Sequence, residues 1–111
     1  MEESIIEWRA KIFGALADPA RLRIIELLKK GERSVCDIFP SVGKSQPAAS
    51  KHLDTLREAG ILTRRVEGKR AIYKIGDETV FIIINGADRI TMQQLTPLTN
   101  TMKALQASIK K

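Results

Sequence analysis

The chain has 111 residues, of which 43% are apolar and 29% are charged. That length and balance suit one soluble globular domain with a modest core, and the longest apolar run, residues 80–84, is too short to span a bilayer. The acidic start MEES differs from a secretory signal, and a single cysteine, Cys36, cannot form an intrachain disulfide, so we predict a cytoplasmic protein. The formal net charge of +6 favours a polyanionic partner, of which nucleic acid is the commonest.

Apolar residues at helical spacing predict a first helix from about residue 3 to residue 17. Its apolar positions are Ile5, Ile6, Ala10, Phe13 and Leu16. Asp18 and Pro19 then predict a second helix, because aspartate is a favoured N-cap and proline suits the first helical position. We expect Gly31 to end this helix. The positions that we expect to face the core are Leu22, Ile25 and Leu28.

Two further helices with a short turn between them predict a helix-turn-helix over residues 34–60. Ser34 is the expected N-cap of the first, which Pro40 limits to about two turns. Ser45 is the expected N-cap of the second, and Gly60 is expected to end it. The buried stripe predicted for this second helix is Ala49, Leu53 and Leu56.

Residues 61–66 and 70–75 are two β-prone runs joined by Glu67-Gly68-Lys69, a pattern that predicts a hairpin. The hairpin has a large excess of positive charge, with Arg64, Arg65, Lys69, Arg70 and Lys74 against Glu67. One interpretation is a wing over residues 61–75 that grips a phosphate backbone or an adjacent minor groove. The other is a solvated sheet edge that charge protects from pairing with other chains.

The C-terminal part of the chain gives mixed signals. Residues 80–84 are compatible with a buried strand or with a helix imposed by packing, and Asn85-Gly86 predicts a turn after them. Thr96-Pro97 repeats the cap-and-proline signature, so a last helix is predicted over residues 97–110. Its apolar stripe is Leu98, Met102, Leu105 and Ile109. The rest of its surface carries little charge, which indicates that the helix covers a second surface.

The second helix of a helix-turn-helix lies in the major groove of DNA. Ala48 and Ser50 are small enough to let that helix approach the base edges. Gln46 can make two hydrogen bonds to adenine, and hydroxyl groups and Lys51 suit phosphates. We therefore predict a DNA-binding surface made of Ser45, Gln46, Ala48, Ser50, Lys51, His52, Arg64, Lys69 and Arg70.

Three segments resemble the arsenic-repressor (ArsR) family of bacterial and archaeal regulators. The sequence FGALADPARLRI, residues 13–24, resembles the opening signature of that family. SQPAASKHL followed by LREAGIL, within residues 45–62, resembles its recognition helix. EGKR, residues 67–70, together with Tyr73, resembles its wing.

The resemblance covers about residues 10–75, whereas residues 76–96 fit the family pattern poorly. It implies a homodimer, joined through helices at residues 1–17 and 97–111, that binds an imperfect inverted repeat in an operator. We therefore predict a mainly α, dimeric winged helix-turn-helix with a small β-hairpin wing, forming one domain over residues 1–111. It is predicted to be a double-stranded DNA-binding regulator that represses transcription, and not an enzyme, since no catalytic triad or phosphate-binding glycine loop is visible. The alternative is a winged-helix adaptor that binds proteins without specific DNA binding.

Many members of that family release DNA when a metal binds, and one family site pairs two thiolates in the third helix. Residues 32–38 here read ERSVCDI, so only Cys36 occupies a ligand position of that site and Ser34 replaces the first thiol. Residues 97–111 lack the histidine and carboxylates of the other family site. Soft metals need two or more thiolate or imidazole ligands, so we predict no metal site, no cofactor and no metal effector. Cys36 is interpreted as an inert buried thiol or, alternatively, a redox-active one, and His52 as a packing or phosphate-contacting residue.

Overall fold

The computed structural model describes residues 2–109, which form two compact units that divide after Asp77. The elements of the first unit are α1 (Glu2–Leu16), α2 (Pro19–Lys29), β1 (Arg33–Ser34), α3 (Val35–Ser41), α4 (Gln46–Glu58), β2 (Leu62–Glu67) and β3 (Arg70–Ile75). The second unit is one helix, α5 (Thr79–Ile109). The order of helices and strands is that of a winged helix-turn-helix. No helix among residues 2–109 is long and apolar enough to cross a bilayer.

The predicted start of α2 is confirmed. The Asp18 carboxylate accepts hydrogen bonds from the backbone N–H groups of Ala20 (2.8 Å) and Arg21 (3.2 Å), and Pro19 occupies the first turn. Desolvation raises the pKa of Asp18, but the N–H donors of Arg21 and Ala20 outweigh it, so this pKa lies below its ordinary value. The prediction that Leu22 faces the core is wrong, because it is 39% exposed.

The core of the first unit explains why Leu22 lies outside it. The buried positions of α2 are Ala20, Ile24, Ile25 and Leu28, and Leu22 is two residues, about 200° of helix rotation, from both Ala20 and Ile24. The predicted stripe of α4 is confirmed, since Ala49, Leu53 and Leu56 are buried. The largest fully buried side chains of the described chain are Ile24, Ile25, Ile38, Leu53, Leu56 and Leu62.

α3 and α4 form the predicted helix-turn-helix, but α3 begins differently from the prediction. The buried Ser34 makes no side-chain cap; its hydroxyl donates to the Asp37 carboxylate at 3.0 Å. The backbone of Ser34 belongs to β1, where it pairs with Ile72, so this residue serves the sheet as well as the helix. Gly43, with φ 66°, makes the turn before α4 in a conformation that favours glycine.

The hairpin belongs to a three-stranded antiparallel sheet of order β1-β3-β2, and the short strand β1 was not predicted. Glu67 pairs with Arg70 across a two-residue turn in which Gly68 has φ 60°, as a glycine at the first position of a type II′ turn requires. The base of the hairpin is anchored by buried Leu62, whereas β2 is exposed beyond that residue. Because Ile72 and Tyr73 of β3 are buried, the hairpin projects from the core only along β2 and at its turn.

α5 corrects two predictions at once. The chain passes through Asn85-Gly86 as helix, where a turn was predicted, and the predicted start at Pro97 lies inside the same helix. Glycine weakens a helix interior by only about 1 kcal/mol, and helical residues on both sides propagate through it. Thr96 does not cap: its hydroxyl donates to the Met92 carbonyl at 2.7 Å, back into the preceding turn. Of the predicted dimerisation segments, Met1, Lys110 and Lys111 lie outside the described residues.

Candidate nucleic-acid interface

The first turn of α4 offers several groups that suit a phosphate. The Ser45 Oγ accepts a hydrogen bond from the backbone N–H of Ala48 at 3.3 Å, which confirms the predicted N-cap and leaves the hydroxyl hydrogen free to donate. Gln46 follows directly and is exposed. Because the N-terminus of a helix carries partial positive charge, an anion is favoured beside this turn.

A groove of about 220 Å³ runs between α4, the hairpin and the start of α3. Of the predicted site residues, the groove is lined by Gln46, Ser50, Arg64, Lys69 and Arg70. Strand alternation explains how the hairpin contributes: Arg64 pairs with Tyr73, and both side chains point to the groove side of the sheet. One concave surface is thus lined by polar side chains of α4 and by cations of the hairpin. The two sets lie 14 to 24 residues apart in the sequence.

Three predicted residues of α4 do not line that groove. Lys51 is exposed, whereas Ala48 and His52 are half-buried. The imidazole of His52 lies close enough to the start of α2 to favour the charged form of the Asp18 carboxylate. The structure therefore places His52 on the side of α4 that faces α2, and its contact with DNA stays a prediction.

The groove residues that were not predicted as part of the DNA-binding surface are Ser34, Val35, Cys36, Asp54, Ala71 and Tyr73. Asp54 was detectable, because it follows Gln46 and Ser50 at intervals of four residues and so shares their helix face. Its carboxylate forms an ion pair with Arg57 at 3.5 Å. Ser34 and Tyr73 reach the groove through β1 and β3, and nothing in the local sequence indicates that.

Two arginines of the wing are already paired with carboxylates. Arg65 donates from both terminal nitrogens to Glu32, at 2.5 Å and 2.7 Å, and from Nε to Glu67 at 2.8 Å. These hydrogen bonds hold the pKa of Glu32 below its ordinary value, against an opposing desolvation effect, and they raise the pKa of Arg65. Arg70 lies 3.8 Å from the Asp37 carboxylate, a looser and exposed pair. Arg65 is therefore held by the protein, while Arg70 stays accessible in the groove.

The expectation of a buried thiol is wrong, because Cys36 is exposed and lines the same groove. Within residues 2–109, no three histidine, cysteine, aspartate or glutamate side chains come close enough together to hold a metal ion. The hydroxyl of Ser34, at the position of the first family thiol, donates a hydrogen bond to the Asp37 carboxylate.

The fold and the sequence both resemble known regulators. The profile of the family described as "Bacterial regulatory protein, arsR family" matches residues 18–64, from the N-cap of α2 into β2. An HTH-type transcriptional regulator of Methanocaldococcus jannaschii is 42% identical over 85 residues, which are 76% of this chain and 96% of that protein. The chain belongs to the arsR family. This confirms the family that the sequence motifs indicated.

Two further matches extend the comparison. A probable mercury resistance operon repressor of Streptomyces lividans is 39% identical over 71 residues, 64% of this chain and 57% of that longer protein. The solution structure of a homodimeric winged helix-turn-helix DNA-binding domain from Mycobacterium bovis, a possible ArsR-family regulator, has a TM-score of 0.75 at 31% identity. It covers 85% of this chain and 87% of that one. The winged helix-turn-helix architecture of the described chain is thereby confirmed.

Proposed function

We propose that this arsR-family protein is a DNA-binding transcriptional repressor that acts as a homodimer on an inverted-repeat operator. The observation that carries the proposal is the groove in which α4 and the wing present Gln46, Ser50 and three cations side by side. A major-groove helix flanked by a basic ribbon is the arrangement with which winged helices read base edges and hold the backbone. Because the operator lies on DNA, we place the protein in the cytoplasm.

Each predicted residue has a role in this proposal. Gln46 reads a base, since it is exposed in the first turn of α4 and its amide can bond adenine in two places. Ser45, Ser50 and Lys51 contact phosphates, and Ala48 keeps the approach close. Arg64, Lys69 and Arg70 hold the backbone from the wing, while His52 supports the helix from its α2 side.

The homodimer is supported by apolar surface that a lone chain leaves in water. In α1 the side chains of Ile5, Trp8 and Phe13 are 44%, 57% and 59% exposed. From residue 95 to the end of α5, the exposed large apolar side chains follow one another at alternating intervals of three and four residues; they are Leu95, Leu98, Met102, Leu105 and Ile109. Spacing of this kind is the seam of a helix that packs against another helix, and exposed apolar stripes mark association surfaces. A second copy of the chain supplies the partner in the proposal.

The proposal is tested by selecting duplexes from a random library and measuring affinity over a salt series. We expect a footprint of two half-sites about one helical turn, or roughly 10 bp, apart. Affinity for the selected duplex should fall by orders of magnitude between low and physiological salt. A single unrepeated site, or an affinity indifferent to salt, would contradict the proposal. An adaptor would show only weak duplex binding at every salt concentration, and that result would favour the alternative function.

A further inference from the structure

One ion pair of the wing, between Arg65 and Glu32, does not line the groove. Arg64 and Arg65 are neighbours in β2, so their side chains leave opposite faces of the sheet. Arg64 lines the groove, whereas Arg65 bonds Glu32, which lies 33 residues earlier in the chain. Arg65 pairs with Ile72 in β3, and Ile72 pairs in turn with Ser34 in β1. The guanidinium therefore reaches across the whole width of the sheet to the residue just before β1.

The edge strand of the wing, β2, has few other attachments beyond its base. All residues of β2 after Leu62 are exposed, and Val66 is 62% exposed. β3 is held by its pairing with β1 and by the buried side chains of Ile72 and Tyr73, whereas β2 is an edge strand that buries no side chain after Leu62. The contact between Glu32 and Arg65 is bidentate, which fixes direction as well as distance. It joins the middle of β2 to the segment that leads into the helix-turn-helix.

We propose that Glu32 is a positioning residue for DNA binding. Its ion pair with Arg65 holds the wing in place and so keeps Arg64, Lys69 and Arg70 in the groove. The inference rests on the proposed function and extends it to a residue that does not line the groove. Arg65, although basic and located in the wing, then holds the wing through this ion pair and makes no phosphate contact.

Because Glu32 is negatively charged, long-range attraction and loss of the ion pair predict opposite effects of its removal on the affinity for DNA. Removing a carboxylate near a DNA-binding surface should strengthen binding if only long-range attraction matters. Removing the Glu32–Arg65 ion pair should weaken DNA binding, because the cations of the wing lose their common orientation. Glu26→Gln is the matched control, since Glu26 is an exposed carboxylate of α2 in the same unit.

The experiment measures affinity and salt slope for the selected duplex with the full chain and with Glu32→Gln, Arg65→Gln, both together, and Glu26→Gln. We expect Glu32→Gln and Arg65→Gln each to weaken binding by about two- to fivefold, the usual range for one exposed ion pair. The double variant should be no weaker than either single variant, and the salt slope should keep its wild-type value. Equal or tighter binding by Glu32→Gln would overturn the inference, as would a slope that falls by about 0.9 per subunit in Arg65→Gln.

Limited trypsin digestion of the free protein separates this inference from the proposed function, because it needs no DNA. The cleavable sites of the hairpin are Arg64, Arg65, Lys69, Arg70 and Lys74. We expect Glu32→Gln to be cut there several times faster than wild type and Glu26→Gln to be cut at the wild-type rate, with all three melting within a few degrees of one another. Equal cleavage rates would overturn the inference that the Glu32–Arg65 ion pair holds the wing, even if duplex binding is as proposed. Faster cleavage would support it even if the wild-type protein fails to bind duplexes with salt dependence.

Discussion

Replacing Lys69 and Gln46 separately distinguishes holding the backbone from reading the bases. Lys69 lies in the turn of the wing and is exposed in the groove, whereas Gln46 is exposed at the start of α4. If the first holds a phosphate, Lys69→Ala should weaken binding to every duplex alike. If the second reads a base, Gln46→Ala should weaken only the selected operator. The two variants remove side chains of similar length from one groove, so each controls for the other.

The magnitude follows from how many phosphates the variant protein no longer neutralises. Each neutralised phosphate contributes about 0.9 to the slope of log affinity against log salt, which corresponds to roughly eightfold in affinity at 0.1 M salt. A homodimer presents Lys69 twice, so Lys69→Ala should lower the slope by about 1.8 and the affinity at 0.1 M salt by about 60-fold. Gln46→Ala should cost about 1–3 kcal/mol per half-site on the selected operator and leave the salt slope unchanged.

Fluorescence anisotropy with the selected operator and a scrambled duplex, over about 50–300 mM salt, measures both quantities. Lys69→Ala should shift the two duplexes equally and flatten both slopes. Gln46→Ala should bring the operator closer to the scrambled duplex. An equal loss on both duplexes for Gln46→Ala, or an unchanged slope for Lys69→Ala, would refute the placement of α4 in the major groove and of the wing on the backbone.

Three further outcomes are expected. Asp18→Ala should lower the melting temperature by several degrees because α2 loses its N-cap. The pKa of Asp18 in the folded protein lies below 3.8. Calorimetry should therefore find the full stabilisation by Asp18 above about pH 4 and its loss as the pH falls through the folded-state pKa. Leu105→Glu should turn a sedimenting dimer into a monomer or an aggregate, while Asn100→Glu, on the opposite side of the apolar stripe of α5, should leave the dimer intact. Zinc, cadmium and trivalent arsenic should fail to release a preformed operator complex, and stoichiometric release that disappears in Cys36→Ser would contradict this expectation.

Features that depend on a few neighbouring residues could be predicted from the sequence. The caps at Asp18 and Ser45 each bond a backbone N–H within three residues, so the local pattern contains the whole interaction. The stripe of Ala49, Leu53 and Leu56 was readable for the same reason, since helical spacing determines one face. The helix-turn-helix and the wing follow from these local signals in their chain order.

The errors arose where the same local chemistry has two outcomes. A hydroxyl before a proline can cap a new helix or bond back to the preceding turn, and Thr96 takes the second course because the helix that precedes it continues. Asn85-Gly86 forms a turn only where its neighbours are not already helical. Ser34 has the backbone geometry of a cap, yet its hydroxyl bonds Asp37. For Thr96 and Asn85-Gly86 the deciding factor is that one helix continues through them.

The groove could be predicted only in part, because its members are brought together by pairing between distant strands. Gln46 and Ser50 were found from the outward face of α4, and Arg64, Lys69 and Arg70 from the charge of the hairpin. Counting charges could not separate Arg64 from Arg65, which differ in the face of the sheet that they occupy. The strand register and the partner Glu32, 33 residues away, make that distinction.

The two interpretations of the basic hairpin, a gripping wing or a protected sheet edge, lead to different expectations about burial. A strand that protects a sheet edge still covers the core with one face, so alternate side chains along it should be buried. In β2 only Leu62 is buried, and the five residues after it are exposed on both faces. The ordering of those residues therefore gains little from hydrophobic burial, and two carboxylates, Glu32 and Glu67, instead hold one of its arginines. The exposed strand β2 is held by ion pairs, and the other cations of the hairpin lie beside an exposed helix N-terminus, an arrangement suited to contact with another molecule. This favours the gripping interpretation.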